Sequence, residues 1–110
     1  MDDLIKEIIS FRDERDWEQF HNPKDLAISL VLEASELLEN FQWKSSEQAI
    51  DINFKHIQDE LADVLIYSLM LANDLKIDVK EAILSKLEKN KQKYPVEKFK
   101  GTSKKYTEIE

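Results

Sequence analysis

Leu26-Ala27-Ile28-Ser29-Leu30-Val31-Leu32-Glu33-Ala34-Ser35-Glu36-Leu37-Leu38 decides the fold. Its apolar positions 26, 27, 30, 31, 34, 37 and 38, continued by Phe41, recur at three- and four-residue steps, the spacing of a helix face. That face is too wide for one neighbour and calls for at least two. A second stretch, residues 54–75, repeats the pattern with Ile57, Leu61, Val64, Leu65, Ser68, Leu69 and Ala72. Two such helices, B and C, dictate an all-α antiparallel helical bundle built around their contact.

Outward from this pair, Asn22 is a good N-cap for helix B, and Pro23 suits its first position, where a missing N–H costs nothing. Upstream, Leu4, Ile5, Ile8, Phe11 and Trp17 predict helix A over residues 3–17, broken at Phe20-His21-Asn22-Pro23. Between B and C, the polar Lys44, Ser45 and Ser46 mark a connection, and residues 47–53 have room for a short helical turn. Downstream, Asp78 opens helix D, with Glu81 in place to complete a capping box. Val79, Ala82, Ile83 and Leu87 form its apolar side, and Tyr94-Pro95 ends it. The expected organisation is one domain over residues 1–95 and a tail over residues 96–110, surface-hugging or disordered.

Composition agrees. One glycine and two prolines in 110 residues are too few for the tight turns of a β-sandwich or barrel. A single domain of this size hides about 65% of its unfolded surface, a thin core that makes a homo-oligomer the expectation. Sixteen basic and 23 acidic residues give a net charge of −7, which repels phosphate backbones and anionic lipids, so neither a nucleic acid polymer nor a membrane is an expected partner. Cysteine is absent, excluding disulfides, thiolate metal sites and cysteine nucleophiles. Met1 is followed by two aspartates, and no uncharged apolar run approaches the ~18 residues of a membrane span, so the expected location is cytoplasmic.

The chemistry lies in two carboxylate pairs. Glu33 and Glu36 on helix B, and Glu60 and Asp63 on helix C, are each spaced i,i+3 and share one side of their helix. Glu33 stands among Leu26, Leu30 and Leu37, and Glu60 between Ile57 and Val64, so these acids interrupt apolar faces. Buried carboxylates without partners are costly, and four facing one another repel; a cation relieves both penalties. Oxygen-only ligands favour Mg²⁺, or Mn²⁺, over zinc or copper. The bland alternative is a solvated acidic stripe, the usual meaning of a single E-x-x-E. A ferritin-like di-iron centre needs Glu-x-x-His on two helices, and the only histidines, His21 and His56, do not supply it.

Glu33-Ala34-Ser35-Glu36 and Glu60-Leu61-Ala62-Asp63 resemble the E-x-x-E and E-x-x-D pairs of the MazG-like all-α nucleoside triphosphate pyrophosphohydrolases. Further strings closely resemble the dCTP pyrophosphatase branch of that family: residues 15–21 (RDWEQFH), 41–44 (FQWK), 63–67 (DVLIY), Asn90 with Tyr94-Pro95-Val96, and 105–108 (KYTE). The resemblance runs over nearly the whole chain. It implies Mg²⁺ held by Glu33, Glu36, Glu60 and Asp63, which would also carry the catalysis. It implies substrate contacts from Trp17, Glu18, Gln19, Phe20, His21, Trp43 and Tyr67, and nucleotide pockets at a subunit contact. One departure stands in helix A, where that branch has a histidine and this chain has Ile8.

The residues themselves are compatible with these roles. Tyr67 follows Asp63 by four positions, on the acidic side of helix C. Trp17 and Trp43 lie just beyond helix ends, where an indole either stacks on a base or simply covers the core. Lys86, Asn90 and Lys93 share one face of helix D and are candidates to reach a triphosphate, as are Lys98, Lys100, Lys104 and Lys105 of the tail; solvated lysines are the plain alternative. The expected activity is Mg²⁺-dependent cleavage of a nucleoside triphosphate, dCTP or a modified dCTP, to monophosphate and pyrophosphate. Its rival is a non-enzymatic helical oligomer that binds a structural cation or a basic partner through its acids.

Overall fold

The computed structural model describes residues 1–103 and residue 107. They form α1 (Asp2–Asp13), a 3₁₀ turn (Trp17–Phe20), α2 (Pro23–Glu39), α3 (Ser46–Asp74), α4 (Val79–Lys93) and the short α5 (Val96–Phe99), and among the described residues there is no strand. No helix among them is long and apolar enough to cross a membrane. Lys104, Lys105, Tyr106 and Glu108, which the sequence reading singled out, lie outside the described residues.

The chain divides into two compact units, Met1–Ile77 and Asp78–Glu110. In the first, α2 and α3 pack along one another and are joined by only a short connection, so they run antiparallel; α1 packs on α3. Leu26, Ala49, Leu69, Met70, Ala72 and Ile8 are its buried apolar core. Asn22 caps α2 as its sequence predicts: its Oδ1 accepts from the Asp25 N–H at 2.9 Å, and Pro23 occupies the first turn.

Helix A ends earlier than its periodicity predicts. Asp16 adopts a left-handed conformation (φ 54°), which breaks the helix after Asp13 and starts a separate 3₁₀ turn carrying Trp17. Helix C begins earlier than predicted. Ser45 and Gln48 form a full capping box (Gln48 N to Ser45 Oγ 3.1 Å; Ser45 N to Gln48 Oε1 2.9 Å), so residues 47–53 are the first turns of α3. The helix kinks at Asn53 (φ −113°, ψ 16°), whose side-chain amide donates to the Asn40 carbonyl at 2.9 Å, satisfying the end of α2. α3 closes in a Schellman arrangement, Ile77 N to Ala72 O and Lys76 N to Asn73 O, with Lys76 at the left-handed position (φ 57°) usually given to glycine.

A buried ion pair fastens α1. Arg12, with a side chain only 3% exposed, donates from Nη1 to both Asp74 oxygens (3.0 and 2.9 Å) and from Nε to Asp13 (3.4 Å). In the second unit, Asp78 caps α4 by accepting from the Glu81 N–H at 3.0 Å, and the α5 turn brings Phe99 edge-on to Tyr94, 4.8 Å between ring centroids.

Candidate active site

Helix spacing on α2 and α3 brings three of the four expected carboxylates together: Glu33, Glu36 and Glu60 each present an oxygen within 4.8 Å of the others. The fourth, Asp63, stands one turn along α3 and shares a cavity wall with Glu33. Oε2 of Glu33 and Oε2 of Glu60 are buried without a hydrogen-bond partner, an arrangement that costs free energy unless a cation or a proton occupies it. The carboxyl of Glu33 is pushed up to about 7, first by burial and then by the hydrogen bond and charge of Glu36 and the charges of Asp63 and Glu60. Glu60 is also raised, by burial and then by Glu36 and Asp63. An all-oxygen, mutually repelling donor set of this kind fits a hard divalent cation.

Glu33 and Asp63 open onto a cavity of about 420 Å³, within the range of small-molecule sites. Its α3 side adds Ile66, Tyr67 and Met70, and Trp17 and His21 come from the segment between α1 and α2. Tyr67 holds its phenolic proton more tightly than usual, through burial and then the charges of Glu33, Asp63 and Glu36, and so presents a hydroxyl donor. The His21 ring lies 6.4 Å from that of Tyr67, and its Nδ1 is buried without a partner. Trp17 meets Phe11 edge-on at 5.6 Å, and the Arg15 guanidinium lies 3.9 Å from the centre of the Phe11 ring.

The remaining expected residues stand elsewhere. Glu18, Gln19 and Phe20 are exposed in the 3₁₀ turn; Gln19 Nε2 donates to the Asp16 carbonyl at 2.9 Å and braces that turn. Trp43 is 99% exposed on a left-handed residue (φ 62°) and does not line the cavity. Lys86 and Asn90 lie on α4 of the second unit, Lys86 exposed and Asn90 half-buried. The sequence reading missed the α1 wall formed by Leu4, Glu7, Ile8 and Phe11. Its signal was present in the 4-7-8-11 spacing, but the glutamate hid it in an apolar search.

Comparison with known proteins agrees with this geometry. The model of the MazG-like family matches residues 28–109, which contain all four carboxylates. The proteins named dCTP pyrophosphatase 1 of Rattus norvegicus and Homo sapiens are each 40% identical over 99% of this chain and 67% of their own length. A pyrophosphatase of known crystal structure from Archaeoglobus fulgidus is 42% identical, with a TM-score of 0.82 over 86% of this chain and 92% of its own. Similarity of sequence over nearly the full length, and of fold at the same time, leaves one assignment: this chain belongs to the MazG-like family.

Proposed function

We propose that this protein is a Mg²⁺-dependent nucleotide pyrophosphohydrolase that converts dCTP, or a dCTP modified on its base, to the monophosphate and pyrophosphate. The observation that carries this reading is the meeting of Glu33, Glu36 and Glu60, two of them with buried unpartnered oxygens, beside a cavity of nucleotide-binding size that Glu33 lines together with Asp63. The similarity to proteins named dCTP pyrophosphatase and to a solved pyrophosphatase supports the reaction class.

Glu33, Glu36, Glu60 and Asp63 would hold the ion, Mg²⁺ or Mn²⁺. Bound there, the cation supplies charge neutralisation at the phosphoryl group under attack. The protein's own groups do the rest. A carboxylate of the four takes the proton of the attacking water. The Tyr67 hydroxyl donates to the sugar or phosphate, and His21 uses its free Nδ1 to orient the nucleotide. Trp17, with Phe11 at its edge, offers an aromatic wall for the base. Trp43, fully exposed within one chain, gains a base to cover if a second copy completes the pocket. Glu18, Gln19 and Phe20 shape the turn that carries Trp17.

Incubation with a panel of ribo- and deoxynucleoside triphosphates plus Mg²⁺, with products separated by chromatography, tests the proposal. The expected result is dCMP and pyrophosphate from dCTP at the highest kcat/KM. Failure to turn over any nucleotide overturns it and leaves the non-enzymatic cation-binding oligomer.

A further inference from the structure

The α1 wall of the cavity contains one polar side chain, and its position is odd. Leu4, Glu7, Ile8 and Phe11 follow one another at helix-face spacing, and all four line the cavity. Three are apolar; Glu7 is not. Among the described residues Glu7 makes no hydrogen bond or ion pair, and neither cation of its own helix pairs with it. Arg12 is committed to Asp74 and Asp13, and Lys6 lines a separate hollow with Ile5, Ile9 and Ser10. Nor does Glu7 belong to the cluster formed by Glu33, Glu36 and Glu60. It is a carboxylate on the cavity wall with no partner among the described residues.

We propose that Glu7 selects the base, its carboxylate accepting a hydrogen bond from the exocyclic 4-amino group of cytosine. This rests on the hydrolase reading above. The phosphates must lie toward the cation-binding acids of α2 and α3, and a further carboxylate repels them, so the α1 wall with Phe11 and Trp17 is left for the base. An ionised carboxylate is acceptor-only and matches an amino group. The 4-carbonyl of uracil faces it with lone pairs against lone pairs, and a carboxylate placed to accept from an amino group rejects the analogue that lacks it. Aromatic faces bind any base, so a preference between two pyrimidines of the same size needs an edge contact of this kind.

The test compares kcat/KM for dCTP and dUTP, which differ in the 4-substituent and in the N3 proton that goes with it, in the parent, Glu7→Gln and Glu7→Leu. Glu7 is exposed, so both variants should fold, and matched thermal melts verify this. The parent should favour dCTP by about 10- to 100-fold, the worth of one charge-assisted hydrogen bond. In Glu7→Gln the amide can accept or donate, and the ratio should fall to within a few-fold of one. In Glu7→Leu the loss should fall on dCTP and on its KM. An unchanged dCTP:dUTP ratio in both variants overturns the proposal, as does an equal loss for both nucleotides, which would mark a role at the cation or phosphates. A parent that hydrolyses both equally well removes the role of Glu7 and leaves the hydrolase reading standing. A parent with no turnover of any nucleotide removes both.

Discussion

Glu33 shows how a single residue records the purpose of a site. In water its carboxyl ionises near 4.5; in the fold it is held to about 7 by burial and by the neighbouring acids. The sign of the linkage follows. Below the unfolded value both states are protonated and the fold bears no penalty; between 4.5 and about 7 the unfolded chain ionises while the folded state keeps its proton, so stability is lost across that window and the loss levels off above it. In EDTA, the melting temperature of the parent minus that of Glu33→Gln should therefore become more negative between pH 5 and pH 8. Mg²⁺ should raise the parent's melting temperature more at pH 8 than at pH 5, because only ionised carboxylates bind it. Equal differences at the two pH values would contradict this. The same repulsion governs Glu36→Gln and Asp63→Asn. Each should lower kcat/KM by roughly 100-fold or more through loss of a charged ligand. Melting temperature without metal should stay the same or rise slightly. Steady-state kinetics and melting curves on the same preparations check both halves.

At the scale of elements, the cavity depends on how α1 is fastened. Its wall residues Leu4 to Phe11 precede Arg12, and Arg12 reaches the end of α3 at Asp74, 62 positions away in sequence. Both oxygens of Asp74 are engaged, and the guanidinium is almost wholly buried. Asp74→Asn leaves the buried guanidinium with only its longer contact to Asp13, so chemical denaturation should report a loss of about 3 kcal/mol. An exposed pair would lose less than about 1 kcal/mol, which separates the two cases. The element boundaries follow from similarly local causes. Asn22-Pro23 announced the start of α2 because capping depends on residues adjacent in the chain. The end of α1 was not announced, because Asp16 takes a left-handed backbone that aspartate tolerates but does not demand.

For the whole molecule, the breadth of the apolar faces matters most. Val31 and Leu38 on α2, and Ile52 and Phe54 on α3, are each more than 60% exposed although they lie in the most apolar helices. Where exposed apolar side chains of this size gather in one patch, that patch normally meets another protein surface. A homo-oligomer, dimer or tetramer, should appear by light scattering at micromolar concentration, and Val31→Lys should shift it toward the monomer. A parent with monomeric mass would refute this. The exposed indole of Trp43 belongs to the same question, since on one chain it lies outside the cavity that Glu33 and Asp63 line.

What the sequence alone determined was everything that repeats with the helical period. The all-α class, α2 and α3 as the central pair, and Glu33, Glu36, Glu60 and Asp63 on their facing sides all follow from offsets of three and four along one chain. Only the tertiary structure decided which of these acids meet within 4.8 Å, that Trp17 and His21 share a cavity with Tyr67, and that Arg12 is a buried anchor. It also decided that the α1 wall, including Glu7, faces the same space. The physical reason is distance along the chain: a residue's helical face is set by neighbours a turn away, whereas its partners across the cavity are set by how separate helices cross and where each ends. Those crossings and endings turned on single backbone conformations, the break at Asp16 and the kink at Asn53, that the residue type permits without requiring.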